Sequence, residues 1–395
     1  MEPGCGRVWA EINLDHIMHN LSEVRRLIGN KTRIMAVVKA NAYGHGAAKV
    51  AGALQECGVK RLAVATLDEA IQLRSGGCMA SIQVLGHTFP ERAEEILTYD
   101  LTQTVFNFEP ANALSYWAGK IGKPAKVHIK VNTGMNRVGF KVCEATVHTI
   151  LKMSKLPFLE IEGIMTHFAS ADEEDSTATV AQFEKFMYFC RELEKAGVYI
   201  PIKHASNSAA LIKYPEMGLD MVRPGIMLYG IYPSAHIDRE FIGLKPAMSL
   251  KANVISVNNV CGNEYLSYGR KYKTHKMSRI ATIAVGYADG YPRLLSNNGR
   301  VIVKESFAPV VGTVCMDSCL IDVTDGNCGV AVGDESVLMG RMGVKEITAE
   351  ELAEWAGTIP YEVVCRIGMR VPRVYIRHGK VNEADNYLRS QYANM

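Results

Sequence analysis

Two hydrophobic rhythms alternate along the first part of the chain. A continuous apolar run occupies 34–38, which suits a strand buried on both faces, and further strand-like runs occur at 62–65, 82–85, 101–105, 127–131, 159–165, 202–205 and 221–222. Between them apolar residues recur every three or four positions. Leu14, Ile17, Leu21 and Val24 follow a possible cap at Asn13, and Val180, Phe183, Phe186, Cys190 and Leu193 share one face of a helix over 177–196. A further helix is expected over 47–57. Eight strands alternating with helices over about 200 residues predict an α/β fold, a (β/α)8 barrel of the TIM type rather than an open sheet. From about residue 244 the rhythm changes to short β-branched runs at 254–257, 279–285, 301–303, 309–314, 319–323 and 336–339. Turn signals such as Asn297-Asn298-Gly299 and Asp325-Gly326-Asn327 separate them, and one helix interrupts them near 348–355. The expected organisation is a barrel over 1–243 and a mainly antiparallel β domain over 244–395. A strand at 8–12 makes the first ten or so residues candidates to join the β domain.

The first barrel run ends on a lysine, in Ala36-Val37-Val38-Lys39-Ala40-Asn41-Ala42-Tyr43-Gly44-His45-Gly46. Active sites of α/β barrels are built at the C-terminal ends of their strands. Lys39 reads either as an exposed cation closing a strand or as a Schiff-base lysine, and the glycines and Tyr43 beside it favour the second.

Composition narrows the field. A formal charge of +3 without a polybasic block gives no reason to expect nucleic acid or an anionic membrane as a partner. No apolar run approaches the roughly 20 residues of a membrane span, and Met1-Glu2-Pro3-Gly4-Cys5 lacks a basic-then-apolar signal pattern. The ten cysteines include no CxxC pair. Several (Cys57, Cys190, Cys365) lie in apolar patterns, which points to buried free thiols in a reducing cytoplasm rather than disulfides or zinc. The acidic run Asp172-Glu173-Glu174-Asp175 reads as a solvated loop ahead of the long helix.

Three further loops at strand ends carry polar residues. They contain Lys130, Asn132 and Arg137 after the fifth strand, His167 after the sixth, and His204, Asn207 and Ser208 after the seventh. Arg223, Gly225 and Ile226 follow the eighth. Asn207-Ser208 and Gly225-Ile226, each opening a helix, would place backbone N–H groups and a hydroxyl together as a phosphate cradle. Ser208 reads equally as a plain helix cap, and His167 or His204 as a core histidine. His45, His87, His167 and His204 also raise a barrel metal site. There is no HxH pair, however, and Arg223 stands where an acidic ligand would be needed, so no metal is expected.

These loops resemble, in order and spacing, those of the alanine racemase family, enzymes that use pyridoxal phosphate (PLP). The β domain resembles the family as well, in Ser267-Tyr268-Gly269, Val285-Gly286-Tyr287-Ala288-Asp289-Gly290, Cys315-Met316-Asp317 and Arg370-Val371-Pro372-Arg373. The resemblance implies interconversion of L- and D-alanine, supplying D-alanine for cell-wall peptidoglycan. Lys39 would hold PLP and act as one base, and Tyr268 of the partner subunit in a homodimer would act as the other. It further implies that Arg223 meets the pyridine nitrogen, that Leu85 and His167 flank the ring, and that Tyr43, Asn207, Ser208, Gly225 and Ile226 bind the cofactor at its phosphate. Arg137 and the Met316 backbone would hold the substrate carboxylate. Lys130 matches a lysine often carbamylated in the family, where the anion orients the arginine at Arg137.

Two positions depart from the family pattern. Asn132 replaces an aspartate, which alters local hydrogen bonding. Met369 replaces a tyrosine that reaches the phosphate and narrows the pocket, so it is the expected determinant of substrate preference. Serine/alanine racemases linked to vancomycin resistance also depart at this position, and substantial serine activity is the alternative. A non-catalytic PLP-binding barrel would lack the β domain, and a decarboxylase of related fold matches the Ser267-Tyr268-Gly269 loop less well.

Overall fold

The computed structural model describes residues 6–237, 239, 241–326 and 329–390. Met1 to Cys5 and Asn327, which figured in the signal-pattern and turn readings, lie outside them. The described residues form two compact units, one within 18–42 and 47–244, the other within 6–17, 43–46 and 245–390.

The first unit is a nearly closed parallel barrel. Its strands are Arg33–Val37, Arg61–Val64, Ser81–Val84, Leu101–Val105, Ala125–Asn132, Leu159–Met165, Ile202–His204 and Met221–Val222. Each neighbours the next, and the last returns to the first through Met221 opposite Arg33 and Val222 opposite Ile34. Between the seventh and eighth strands the ladder is carried by two backbone bonds, Asp220 N–H to Lys203 O (3.1 Å) and Arg223 N–H to Ser206 O (3.0 Å). The strands are buried on both faces, since the successive residues Ile82, Gln83 and Val84, and likewise Val127, His128, Ile129, Lys130 and Val131, are all buried. The helices begin and end on local signals. Leu67–Ser75 opens on a capping box between Thr66 and Glu69, and Phe108–Ile121 stops at Gly122, which takes the left-handed conformation. The long helix is Thr177–Lys195, and Asp175 accepts the Thr177 N–H ahead of it (2.8 Å).

In the second unit six strands form a ring. Met248–Val260, Ser278–Ile283, Cys319–Asp322, Ser306–Val311, Arg300–Val303 and Glu335–Met342 are paired in that order, and the last pairs back onto the first. Val8–Asn13 joins this sheet, antiparallel to Met248–Val260 and parallel to Arg373–Arg377. The expected strand at 254–257 is the second half of a longer one, whose first half alternates buried and half-buried residues. That alternation is carried by Met, Ser, Leu and Lys rather than by β-branched residues, so strand propensity alone does not mark it. A second helix, Pro360–Cys365, follows Ala349–Ala356 where one was expected. It ends on Cys365, which is therefore exposed rather than buried, while Cys57 is half-buried. All eight described cysteines are free.

Candidate active site

At the end of the first barrel strand the chain turns left-handed. Ala40, Asn41, Ala42 and Tyr43 all have φ between 51° and 54°, a conformation costing roughly 1–2 kcal/mol per residue outside glycine. The turn starts at Lys39, which is half-buried. It is pinned by Ala42 N–H to Val38 O (2.9 Å) and by the Asn41 carboxamide oxygen, which accepts the Ala47 N–H (2.8 Å) at the start of the helix Ala47–Glu56. Four consecutive strained residues persist only where the surroundings hold them, which marks a functional segment. Gly44 and Gly46 complete the turn, also at positive φ. A Cβ on the first would strike the Val364 carbonyl and on the second the Tyr375 hydroxyl.

Around the barrel mouth the remaining side chains form one connected group. Arg223 is buried, and burial lowers its pKa to about 10, so it stays a cation at neutral pH. Its Nη1 donates to His204 Nδ1 (2.8 Å), and its Nη2 lies 2.7 Å from Thr166 O, 2.8 Å from Ala205 O and 3.3 Å from His167 Nδ1. The Nε–H has no hydrogen-bond partner among the described residues. His167 is held well below its ordinary pKa, first by burial and then by Arg223, Lys130, Arg137 and Lys39. Lys130 is buried without a carboxylate partner among the described residues, and burial, Arg223 and Arg137 hold its amine well below the ordinary lysine range.

Asn132 organises the loop leading to Arg137. Its oxygen accepts the N–H groups of Gly134 (3.2 Å) and Asn136 (3.0 Å), and its amide donates to Asn136 Oδ1 (3.0 Å), a bond an aspartate could not donate. The cap of the helix Ser208–Lys213 is Asn207, whose side chain accepts from Ala210 N–H (3.0 Å). Ser208 is therefore not the plain cap of its own helix. Its hydroxyl oxygen accepts from Gly225 N–H (2.9 Å) and Met227 N–H (3.5 Å), which ties the seventh and eighth strand ends together. Ile226 is buried beside it, and Leu85 is half-buried at the end of its strand. His204, one of the four histidines considered for a metal, is committed to Arg223 and His128. Among the described residues no cluster of three or more His, Cys, Asp or Glu could hold a metal ion.

The β unit presents a second group. Tyr268, Met316 and Met369 are 73%, 52% and 55% exposed. Ser267 Oγ donates to Thr313 O (2.6 Å), and Thr313 Oγ1 returns to Tyr268 O (2.8 Å). The Met316 loop is bound by Tyr287 N–H to Cys315 O (3.0 Å) and Ala288 N–H to Met316 O (3.1 Å), and a Cβ on Gly286 would collide with it. Arg373, which is buried, donates to the carbonyls of Ile367 (2.6 Å), Gly368 (2.6 Å), Val371 (2.7 Å) and Gly44 (3.1 Å). One guanidinium thus fixes both the Met369 loop and the turn after Tyr43. Tyr43 itself is buried, which pushes its hydroxyl pKa up.

A parallel barrel with a lysine on a strained strand-end turn, and a buried arginine aimed by carbonyls and histidines, defines an α/β-barrel enzyme. Models of the alanine racemase N-terminal and C-terminal domains match residues 12–233 and 247–375. An alanine racemase of Clostridium tetani is 49% identical over 382 residues, 96% of this chain and 98% of that protein. An alanine racemase structure from Clostridium difficile 630 superposes with a TM-score of 0.93 at 40% identity, over 97% of this chain and 99% of that one. The structure of alanine racemase from Bacillus anthracis with bound L-Ala-P gives 0.91 at 39% identity, over 97% and 98%. The chain belongs to the alanine racemase family.

Proposed function

We propose that the chain binds PLP on Lys39 and interconverts L- and D-alanine, with Lys39 and Tyr268 of the partner subunit as the two bases. The observation that carries the reading is Arg223. Its terminal nitrogens are committed to protein acceptors, and its remaining Nε–H suits a single acceptor such as a pyridine nitrogen. The other residues fit the same group. The Ser208 hydroxyl, already an acceptor for two backbone N–H groups, retains its own hydrogen for a phosphate oxygen, and Ile226 N–H has no partner among the described residues. Asn207 and Gly225 frame this cradle, and Leu85 and His167 flank the ring.

When bound, PLP supplies an electron sink that makes the substrate α-proton removable. Arg223 donates to the ring nitrogen without protonating it, because a guanidinium has donors only, and so keeps that sink weak. Lys39 moves the proton at one face of the substrate and the partner's Tyr268 at the other, since racemisation needs two opposed bases. Arg137 and the Met316 N–H, which makes no hydrogen bond among the described residues, hold the substrate carboxylate. Lys130, whose amine burial and the neighbouring Arg223 and Arg137 hold well below the ordinary lysine range, is the residue to add CO2 and release a proton, becoming an anionic carbamate that balances Arg223 and Arg137. The strongly exposed Tyr268 fits a homodimer in which each site borrows this residue from the other chain. No helix of the described residues is long and apolar enough to cross a membrane, and we place the reaction in the cytoplasm, making D-alanine for peptidoglycan. Met369 favours a second activity on serine, because methionine is flexible and can give way to a larger side chain.

Borohydride reduction of the PLP-loaded protein, followed by peptide mapping, tests the reading. The pyridoxyl group should be found on Lys39, and its recovery on another lysine contradicts the assignment.

A further inference from the structure

The interior of a barrel of this kind is ordinarily filled with layers of branched apolar side chains. Here a line of polar residues runs through it from one end to the other. Arg61, the first residue of its strand, grips Glu162 with two bonds, Nη1 to Oε2 (2.9 Å) and Nη2 to Oε1 (2.6 Å). Glu162 Oε2 lies 3.0 Å from His128 Nε2, His128 Nδ1 lies 2.8 Å from His204 Nε2, and His204 Nδ1 lies 2.8 Å from Arg223 Nη1. Both histidines are fully buried.

The backbone is shaped for this line. Val127 pairs with Ile161 but His128 with Gly163, so Glu162 is the extra residue of a bulge in the strand Leu159–Met165. Bulges re-aim side chains. Gly163 then leaves room for the imidazole, since a Cβ there would sit 2.5 Å from His128 Cε1 and Nδ1.

Hydrogen-bond chemistry determines the direction of every link. Arg223 can only donate, so His204 Nδ1 accepts and its Nε2 carries the hydrogen. His128 Nδ1 must then accept, its Nε2–H donates to Glu162, and the carboxylate accepts from Arg61 as well. Protonating His204 would turn two donors against each other at Arg223. Burial, the largest influence on both rings, also favours their neutral forms, and on Glu162 the bonds from Arg61 and His128 outweigh burial and keep the carboxylate ionised. The line therefore presents a half-buried carboxylate to Arg223 through two oriented imidazoles.

We propose that Glu162 and His128 are positioning residues for the racemase reaction, fixing the tautomer of His204 and through it the aim of Arg223. The proposal rests on the reading of Arg223 as the partner of the cofactor ring. Three variants test it. Glu162→Leu removes the terminal acceptor, so His128 either keeps an unsatisfied N–H or flips and forces His204 to oppose Arg223. Glu162→Gln keeps an acceptor for His128 and hence the direction, losing the charge and one of the two bonds from Arg61. Gly163→Ala displaces the His128 ring without touching any charge.

The first readout is the 15N spectrum of histidine ring nitrogens in the protein without PLP, and the second is kcat and KM for alanine in the PLP-loaded enzyme. The unmutated protein should show His128 and His204 neutral and protonated on Nε2. Glu162→Leu and Gly163→Ala should lose that pattern at His204 and lower kcat tenfold or more, with KM within about twofold. Glu162→Gln should retain the pattern and most of kcat. A His204 pattern unchanged in Glu162→Leu overturns the proposal, as does a lost pattern with unchanged kcat. Equal damage from Glu162→Gln and Glu162→Leu would also overturn it, by pointing to packing alone. Failure of the unmutated enzyme to racemise alanine would instead refute the functional reading, and the ring spectra would still report whether the line sets the His204 tautomer.

Discussion

Acidification should destabilise the barrel unit more steeply than its exposed charges could account for. His128, His167 and His204 are held neutral, each first by burial and then by neighbouring cations, with Glu162 only partly offsetting this at His128. In the unfolded chain the same rings take up a proton near pH 6.5. Below that pH the unfolded state binds more protons than the folded one, so stability must fall as the pH drops. At pH 5.5 each ring that stays neutral costs about 1.4 kcal/mol, and three cost about 4 kcal/mol at most, against roughly 0.5 kcal/mol in all at pH 7. The window lies above the range in which carboxylates protonate. Urea unfolding of the PLP-free protein between pH 7 and 5.5 measures it, followed by Trp117 fluorescence in a Trp9→Phe, Trp355→Phe background. Trp117 lies on the barrel helix Phe108–Ile121. A loss of 3–4 kcal/mol is expected, reduced by about a third in His167→Gln. A stability that is flat or rises over this range would show that the rings are not neutral in the folded barrel, and would refute the tautomer argument as well.

Two further outcomes concern the β unit. Lys39→Ala and Tyr268→Phe subunits, each inactive alone, should recover activity when mixed and allowed to exchange, because one intact site forms per heterodimer; no recovery despite proven exchange would exclude a shared site. Met369→Tyr should hold PLP about tenfold tighter or more, a charge-assisted bond being worth roughly 1.5–3 kcal/mol. It should also lower the serine-to-alanine ratio of kcat/KM, and an unchanged or higher ratio would remove Met369 as the determinant.

All eight barrel strands stand within a few residues of their strand-like runs, because strands buried on both faces stay rich in apolar residues even where a polar one interrupts them. The strand Arg373–Arg377 was not legible, since its charged ends mask an interior that packs beside Val8–Asn13, more than 350 residues away in the chain. The candidate site divides in the same way. Lys39, Ser208 and Arg223 could be found from their places at strand ends. The left-handed turn after Lys39 could not, because alanine and asparagine at positive φ are imposed by surrounding contacts and not by propensity. His128 and Glu162 were missed because they sit in the middle of strands, where a polar residue reads as noise until the bulge at Glu162 and the small Gly163 bring them into line. Two inward polar residues interrupting neighbouring strands were the available signal.

The central claim is tested most directly by incubating the PLP-loaded protein separately with pure L-alanine and pure D-alanine and resolving the products by chiral chromatography. Both reactions should converge on equal amounts of the two enantiomers, and Lys39→Ala should leave each substrate unchanged. Retention of a single enantiomer in both incubations, with PLP demonstrably bound, would contradict the assignment of this chain as an alanine racemase.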